Sequence, residues 1–433
     1  MRRFLLLIVS LTLLAPGNMA LATHPTSLSV ESLDGRTLFS LPEMNAVSGA
    51  SLAIADLGDD GLPEFLVGNG MGSEPRVHVL RQDGSEIGSF LAYTPTLGVG
   101  VNVVACDLTG DGYNEIVVAP QRGGGPHVRV FDRYGKAIDD GGFFAYDTGM
   151  REGLNLACGD LVGDTAEELV TLPAAGGGPH VRIWNWNEKM QLADEFFAFE
   201  KNTRSGMVGV VHDHSLTLAQ QFTAIPIIKT IVIHTSPTTT SEKKISIDGR
   251  GVESLAVVNN EIVLSTSSSA TLYNHTQDTT STIDLEHATL ATFQDQLFFT
   301  SGRYLFDETS EEQRIEVDVS EQRLYAFERG ILRNSFLISS GRNHATPLGT
   351  HNVLAKLPLV HYAWFYGDGS PKNYDLGWIP YNLRFAPHIY IHYAPWHNNF
   401  GHPMSRGCVN VNLANMQWVY AWSQEGTIVE IKS

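Results

Sequence analysis

The chain has 433 residues, too many for one ordinary hydrophobic core, so two or three domains are expected. Only 18% of residues are charged and 41 are glycine, which points away from helical bundles and toward a mainly β, turn-rich fold. The net charge of −18 argues against a nucleic-acid partner. That charge is uneven: residues 313–433 hold ten Lys/Arg against eight Asp/Glu, so the acidic excess lies before them, where it suits cation binding or solubility.

The first segment reads as a secretion signal. Arg2 and Arg3 make a basic start, residues 4–15 form an apolar run, and Ala20-Leu21-Ala22 supplies small residues at a cleavage site, so the exported chain is expected to begin near Thr23. The run is short of the roughly 20 apolar residues that span a bilayer, and no later run is long and apolar enough to do so. Three cysteines are an odd number for an exported protein, so at least one has no partner within the chain. Cys106 and Cys158 lie in matching apolar strands but at adjacent repeat positions, so their side chains are expected on opposite faces and not in a disulfide. Cys408 alone sits in a polar, glycine-flanked loop, where a reactive thiol belongs.

A repeat of 51 to 53 residues fills the first half. Asp56-Leu-Gly-Asp-Asp60-Gly-Leu-Pro-Glu64 matches Asp107-Leu-Thr-Gly-Asp111-Gly-Tyr-Asn-Glu115, and Asp160-Leu-Val-Gly-Asp164-Thr-Ala-Glu-Glu168 is a weaker third copy. Each loop precedes a strand-like run, a Gly-rich turn, a Pro-led strand such as Pro126-His-Val-Arg-Val, and an aromatic strand such as Phe143-Phe-Ala-Tyr146. Four short strands per unit describe a β-propeller blade, and blades must stack to bury both faces. Over residues 45–203 these units resemble FG-GAP (integrin-α-like) repeats, a resemblance that implies calcium-binding loops.

The loop chemistry agrees, since carboxylates at positions 1, 5 and 9 with glycine at 6 suit one hard cation. Asp56, Asp60 and Glu64 qualify, as do Asp107, Asp111 and Glu115. Asp160, Asp164 and Glu168 are weaker because Thr165 replaces the glycine. The competing reading is that the Asp-Gly pairs only form turns. Residues 204–312 remain strand-rich, with runs at 226–233, 245–247, 252–264 and 290–299 between Ser/Thr-rich stretches. They read as the remaining, diverged blades, or as a second β region.

At residue 313 the pattern changes. Ile315-Glu-Val-Asp-Val319 and Gln322-Arg-Leu-Tyr-Ala-Phe327 read as strands, with Glu328-Arg-Gly330 as the turn after the second. Phe336-Leu-Ile-Ser-Ser-Gly341 and the tight turn Thr346-Pro-Leu-Gly349 follow. His388-Ile-Tyr-Ile-His392 alternates and ends in a histidine, and Ser405-Arg-Gly-Cys408-Val-Asn410 comes after it. A thiol nucleophile needs a base, a group that orients the base, and N–H donors for an oxyanion. His392 is the best base, His397 and His402 are less constrained, and His388 is expected on the face of His392 as a supporting group. Gly407 permits close backbone approach, and the N–H groups of Arg406 to Cys408 are the expected oxyanion donors.

In the order and spacing of these motifs, residues 313–433 resemble the L,D-transpeptidase (YkuD-like) family. The resemblance implies a β-rich catalytic domain with Cys408 as nucleophile, His392 as base and the Tyr393 carbonyl orienting it. It further implies peptidoglycan stem peptides as substrates, 3–3 crosslinks as product, and no cofactor for catalysis. Arg406 stands where the family usually has histidine; it is expected either to favour the thiolate or to hold a substrate carboxylate. With water as acceptor the reaction would be L,D-carboxypeptidase trimming. The other class of reading is a calcium-dependent surface adhesin with a vestigial last domain. A wall polymer or a protein is the expected ligand of the propeller.

Overall fold

The structure, a computed structural model, describes residues 28–32, 37–41, 49–138, 140–223, 225–232, 239–247, 251–285, 288–294, 296–300, 312–371 and 373–433. The secretion signal at residues 1–22, the Ser/Thr-rich stretch at 236–238 and most of the expected boundary at 301–311 lie outside the described residues.

Strands dominate, and the described residues contain one α-helix. Residues 51–283 build five four-stranded antiparallel sheets, each from consecutive strands. Their first strands are β1 (Ser51–Ala55), β2 (Val101–Cys106), β3 (Leu154–Gly159), β4 (Met207–His212) and β5 (Ser254–Val258). A sixth sheet begins at β6 (Thr289–Phe293), continues through Gln296–Thr300, and is completed by Leu28–Ser32 and Thr37–Leu41 from the start of the chain. The expected run at 252–264 is a hairpin, broken where Asn259 and Asn260 both take positive φ, the requirement of a type I′ turn.

The six first strands pack side by side in cyclic order, β6 returning to β1, around a cavity of about 200 Å³. One bond recurs around part of this ring. Ser51 Oγ donates to the Val101 carbonyl (2.9 Å), Asn102 Nδ2 to that of Leu154 (2.7 Å) and Asn155 Nδ2 to that of Met207 (2.8 Å). A second link also repeats: the Tyr93 hydroxyl donates to the Val118 and His127 carbonyls of the next sheet, and Tyr146 does the same to Thr171 and His180. Ser51, Asn102 and Asn155 are buried and the two tyrosines partly so, and each pairing avoids the cost of an unsatisfied donor.

Cys106 and Cys158 form a disulfide between β2 and β3, with Cα atoms 5.8 Å apart, which corrects the expectation that they cannot meet. The alternation rule holds within one sheet, but the two residues belong to neighbouring sheets. Sheets packed face to face bring the front of one onto the back of the next, so positions of opposite parity are the ones that touch.

The remaining residues form a second core. β7 (Gln313–Asp318), β8 (Arg323–Glu328), β9 (Ile331–Leu337), β10 (Gly349–Asn352) and, after the helix, a last strand at Ile428–Lys432 make one five-stranded sheet. β11 (Ala355–Trp364), β12 (Tyr374–Ala386), β13 (Ile389–Tyr393) and β14 (Val409–Val411) make a four-stranded one. Helix α1 (Leu413–Trp422) starts directly after β14, where the Asn412 side chain accepts the Asn415 N–H. Val317, Phe336, Leu383, Ile391, Val411 and Val419 close the core between these layers.

The β8–β9 hairpin turns through Arg329 and Gly330, both at positive φ, and docks against the ring. Leu332, Tyr325 and Phe327 cluster with Met71, and Ser335 Oγ donates to the Met71 carbonyl at 3.1 Å. Gly72 is required here: a Cβ on it would lie 1.6 Å from the Ser335 carbonyl oxygen.

Candidate active site

Strand pairing brings the two ends of the catalytic motif together. β13 and β14 run parallel with His392 opposite Asn410, which places Cys408 just before β14 beside the start of β13. Cys408 and His392 line one cavity of about 450 Å³. Cys408 is the free cysteine among the described residues, and its Sγ lies 4.0 Å from the His388 carbonyl oxygen. Burial pushes its thiol up to about 11, against a smaller lowering by a backbone hydrogen bond at Tyr390.

His392 is 2% exposed. Its Nδ1 lies 2.7 Å from the Tyr393 carbonyl oxygen. A carbonyl only accepts, so Nδ1 carries the proton and Nε2 is left as the basic nitrogen. Burial drives the imidazole down to about 4, opposed by the Tyr393 bond and helped by nearby His397. The resting pair is therefore a neutral thiol and a neutral imidazole.

Two side chains, the partly buried Tyr362 and the buried Asn382, fix the ring of His392. Tyr362 packs on it with centroids 4.5 Å apart and donates its hydroxyl to Asn382 Oδ1 at 2.9 Å. Asn382 lies opposite His392 on β12 and is held by the Ile379 carbonyl. Trp396 adds a tilted contact from the other loop.

The nucleophile loop is shaped by the motif residues around it. Gly341 N–H donates to Thr346 Oγ1 (2.8 Å), which donates to the Gly407 carbonyl (2.9 Å). Gln322 and Ser340 bond reciprocally at 2.7 and 2.8 Å beneath them. Gly407 has φ of 142°, outside the ordinary range of L-residues, and a Cβ there would meet the Ala345 carbonyl at 3.2 Å. Its N–H donates to Ser405 Oγ (3.0 Å), whose hydroxyl is given to the Cys408 carbonyl. Of the expected oxyanion donors, that of Gly407 is thus already engaged.

The other histidines are placed differently. His388 precedes β13 in a turn with φ of 60°, and not on the strand face expected for it, because the alternation begins only at Ile389. It lines the cavity and meets Trp364 edge-on. His397 accepts the Asn399 N–H at Nδ1 (3.2 Å), so its Nε2 carries the proton, 3.0 Å from the Asn410 amide. The amide orientation that turns Oδ1 to this proton also gives the otherwise unpaired, buried Oδ1 a partner. His397 is then committed to Asn410, and His402 is exposed. Arg406 is exposed at the cavity rim, its guanidinium 4.8 Å over the Tyr374 ring.

Tyr362, Tyr374, Trp364 and Trp396 were not singled out in the sequence. The run Tyr362-Ala-Trp-Phe-Tyr366, with Trp378 beyond it, is the signal that could have found some of them: aromatic residues this dense, many of them exposed, are unusual unless they face a ligand.

The first two acidic loops share one bonding pattern, and the third keeps part of it, its first Asp accepting from residues two and three on instead of four and five on. The first Asp accepts loop N–H groups: Asp56 from Gly61 (2.7 Å), Asp107 from Gly112 (2.9 Å) and Asp160 from Val162 (3.0 Å). Asp60, Asp111 and Asp164 each accept an N–H two residues on. Glu64, Glu115 and Glu168 accept the N–H of Leu57, Leu108 and Leu161. Burial, then the neighbouring aspartates, raise all three glutamates, Glu115 to about 7. The three carboxylates of a loop do not converge within 4.8 Å; among the described residues the group that does is Cys106, Cys158 and Glu167, whose sulfurs are bonded to each other.

Residues 312–431 match the family model of the YkuD L,D-transpeptidase catalytic domain, so the C-terminal part of the chain carries a YkuD-type domain. Solved structures also match parts of the chain. An Enterococcus faecium L,D-transpeptidase mutant is 23% identical over 28% of this chain and 50% of its own, with a TM-score of 0.26. An L,D-transpeptidase from Mycobacterium smegmatis is 16% identical over 64% and 99%, with a TM-score of 0.27. L,D-transpeptidase 3 from Mycobacterium tuberculosis, in complex with a faropenem-derived adduct, is 16% identical over 43% and 96%, with a TM-score of 0.27. The chain spans 50%, 58% and 63% of the length of the first three L,D-transpeptidase structures it matches. No curated protein matches the chain.

Proposed function

We propose that the chain is an exported cysteine acyltransferase acting on peptidoglycan stem peptides, an L,D-transpeptidase that forms 3–3 crosslinks. The observation that carries the proposal is the His392 imidazole. It is neutral, tied at Nδ1 to the Tyr393 carbonyl, and shares a cavity with the Cys408 thiol.

In this reading Nε2 takes the Cys408 proton as sulfur attacks the carbonyl between the third, diamino-acid residue and the terminal D-alanine. The C–N bond breaks, the imidazolium returns the proton to the departing D-alanine amine, and a thioester remains on Cys408. A side-chain amine of a neighbouring stem then attacks the thioester, releasing the thiol and leaving the crosslink. Water in place of the amine gives the carboxypeptidase outcome. By resemblance to the L,D-transpeptidase family, carbapenem-type β-lactams are proposed to acylate Cys408. Incubation with a stem tetrapeptide should add the mass of the tripeptide acyl group to the intact protein and add nothing to Cys408→Ala. Acylation of the alanine variant, or its absence from the wild type, would overturn the assignment.

The six sheets are proposed to be blades of a propeller, closed by residues 28–41, that targets the enzyme to wall polymer or a protein. The cyclic packing of β1 to β6 supports this. The Cys106–Cys158 disulfide supports export, since such bonds persist in oxidising compartments. Calcium is the proposed ligand of the Asp56/Asp60/Glu64 and Asp107/Asp111/Glu115 loops, more than of the Asp160/Asp164/Glu168 loop. It would have to draw their carboxylates closer than they now lie. Titration calorimetry of the whole protein should show calcium uptake that Asp107→Asn reduces; no heat and no bound calcium after dialysis would remove the claim.

A further inference from the structure

We infer that Tyr362 is a positioning residue for proton transfer, its ring face holding the His392 imidazolium that forms when Nε2 takes the Cys408 proton. This deepens the acyl-transfer reading above and rests on its Cys408–His392 step; the identity of the acyl donor does not enter.

Burial keeps the resting His392 ring neutral, yet a general base carries a positive charge in mid-reaction. A buried carboxylate is one partner that can steady such a charge. Among the described residues lining the cavity there is no Asp or Glu. His392 Nδ1 faces the Tyr393 carbonyl, and nearby His397 opposes a further positive charge. His388 and Arg406, the other basic groups of the wall, offer no counter-charge either. What packs on the ring is aromatic: Tyr362 with centroids 4.5 Å apart, and Trp396 farther off at 5.7 Å.

The Tyr362 and His392 planes are tilted by 32°. Rings that meet edge-on stand near perpendicular, and rings side by side in one plane cannot come this close, so the two faces overlap. An aromatic face attracts a cation, most strongly where water is excluded, and His392 is 2% exposed.

Asn382 holds the Tyr362 ring in place. It is fully buried, and its Nδ2 donates to the Ile379 (2.8 Å) and Leu357 (3.3 Å) carbonyls. Both amide hydrogens are spent on groups that only accept, so Oδ1 faces Tyr362 and the phenol donates to it at 2.9 Å. Burial also pushes the ionisation of Tyr362 far up, so the ring stays a neutral phenol. Leu357 lies opposite Asn382 in the β11–β12 pairing, and the tether is therefore built into the strand register.

Rings of nearly equal size but graded face charge separate this role from packing. The whole protein is prepared with phenylalanine, trifluorophenylalanine or pentafluorophenylalanine at position 362. Two acyl donors are used, p-nitrophenyl acetate and a stem tetrapeptide. With the ester, Cys408 Sγ bonds the acetyl carbon, the thiol proton passes to Nε2, and nitrophenolate leaves as the C–O bond breaks. Tyr362→Phe keeps the ring and loses the tether, so acetylation should slow about fivefold or less. From phenylalanine to pentafluorophenylalanine the acetylation rate should fall stepwise, by about three- to thirtyfold in all. The kcat for the tetrapeptide should follow it, with KM nearly kept. In a His392→Ala background the series should be flat. Iodoacetamide alkylation of Cys408, which needs no base, should be the same throughout. A flat series with His392 present, the same grading without His392, or a matching fall in alkylation would overturn the inference. Absence of any Cys408 acetylation would overturn it together with the acyl-transfer reading. Graded acetylation by the ester with no reaction of the tetrapeptide would leave it standing and sink the transpeptidase reading instead.

Discussion

At the scale of single residues, Cys408 and His392 line one cavity, and burial moves both away from their charged forms. Burial moves Cys408 up to about 11 and His392 down to about 4, so between those values neither carries charge. Thiolate is then scarce near neutrality and grows with pH. Iodoacetamide alkylation of Cys408 should rise roughly tenfold per unit from pH 7 to 10. His392→Ala should leave that profile nearly intact yet slow acylation by tetrapeptide by about 100-fold or more, the usual worth of a positioned base. An alkylation rate already on a plateau at pH 6 to 7 would contradict this state. Cys408 and His392 could be named from the chain because they lie in two short contiguous motifs, while the Tyr393 carbonyl came only from the family resemblance. Tyr362 and Asn382, which clamp the imidazole, could not: they come from β11 and β12 and reach His392 only through strand register.

At the scale of elements, what was legible was local and what was missed was non-local. The 51- to 53-residue repeat announced the sheets, since turn, strand and acidic loop recur together. The strands at 28–32 and 37–41 did not announce themselves as part of the sheet begun by β6, because nothing in so short a stretch encodes a partner such as Thr300, which pairs with Val30. The β2–β3 disulfide was misjudged for a related reason: side-chain parity was counted along a strand, whereas the contact is between packed sheets. Labelling the protein in denaturant without reductant should therefore modify Cys408 alone. Cys106→Ser should lower unfolding stability by about 2–4 kcal/mol in a denaturant titration. Three labelled thiols, or an unchanged midpoint, would show that the bond is not formed.

For the whole molecule, the β8–β9 hairpin joins the two halves through Met71, Leu332 and the close approach of Gly72 to Ser335. The turn at Arg329 and Gly330 was readable from the chain, but its docking was not, since hydrophobic residues at a hairpin tip carry no record of what covers them. The acidic ring and the near-neutral YkuD-type domain thus form a two-part protein. The most direct test of the central claim is mass spectrometry of muropeptides after purified, tetrapeptide-bearing peptidoglycan is incubated with the protein. The account predicts loss of D-alanine and the appearance of 3–3-linked dimers, both absent with Cys408→Ala. Unchanged muropeptides with a fully alkylatable Cys408, or the same dimers from the alanine variant, would contradict it.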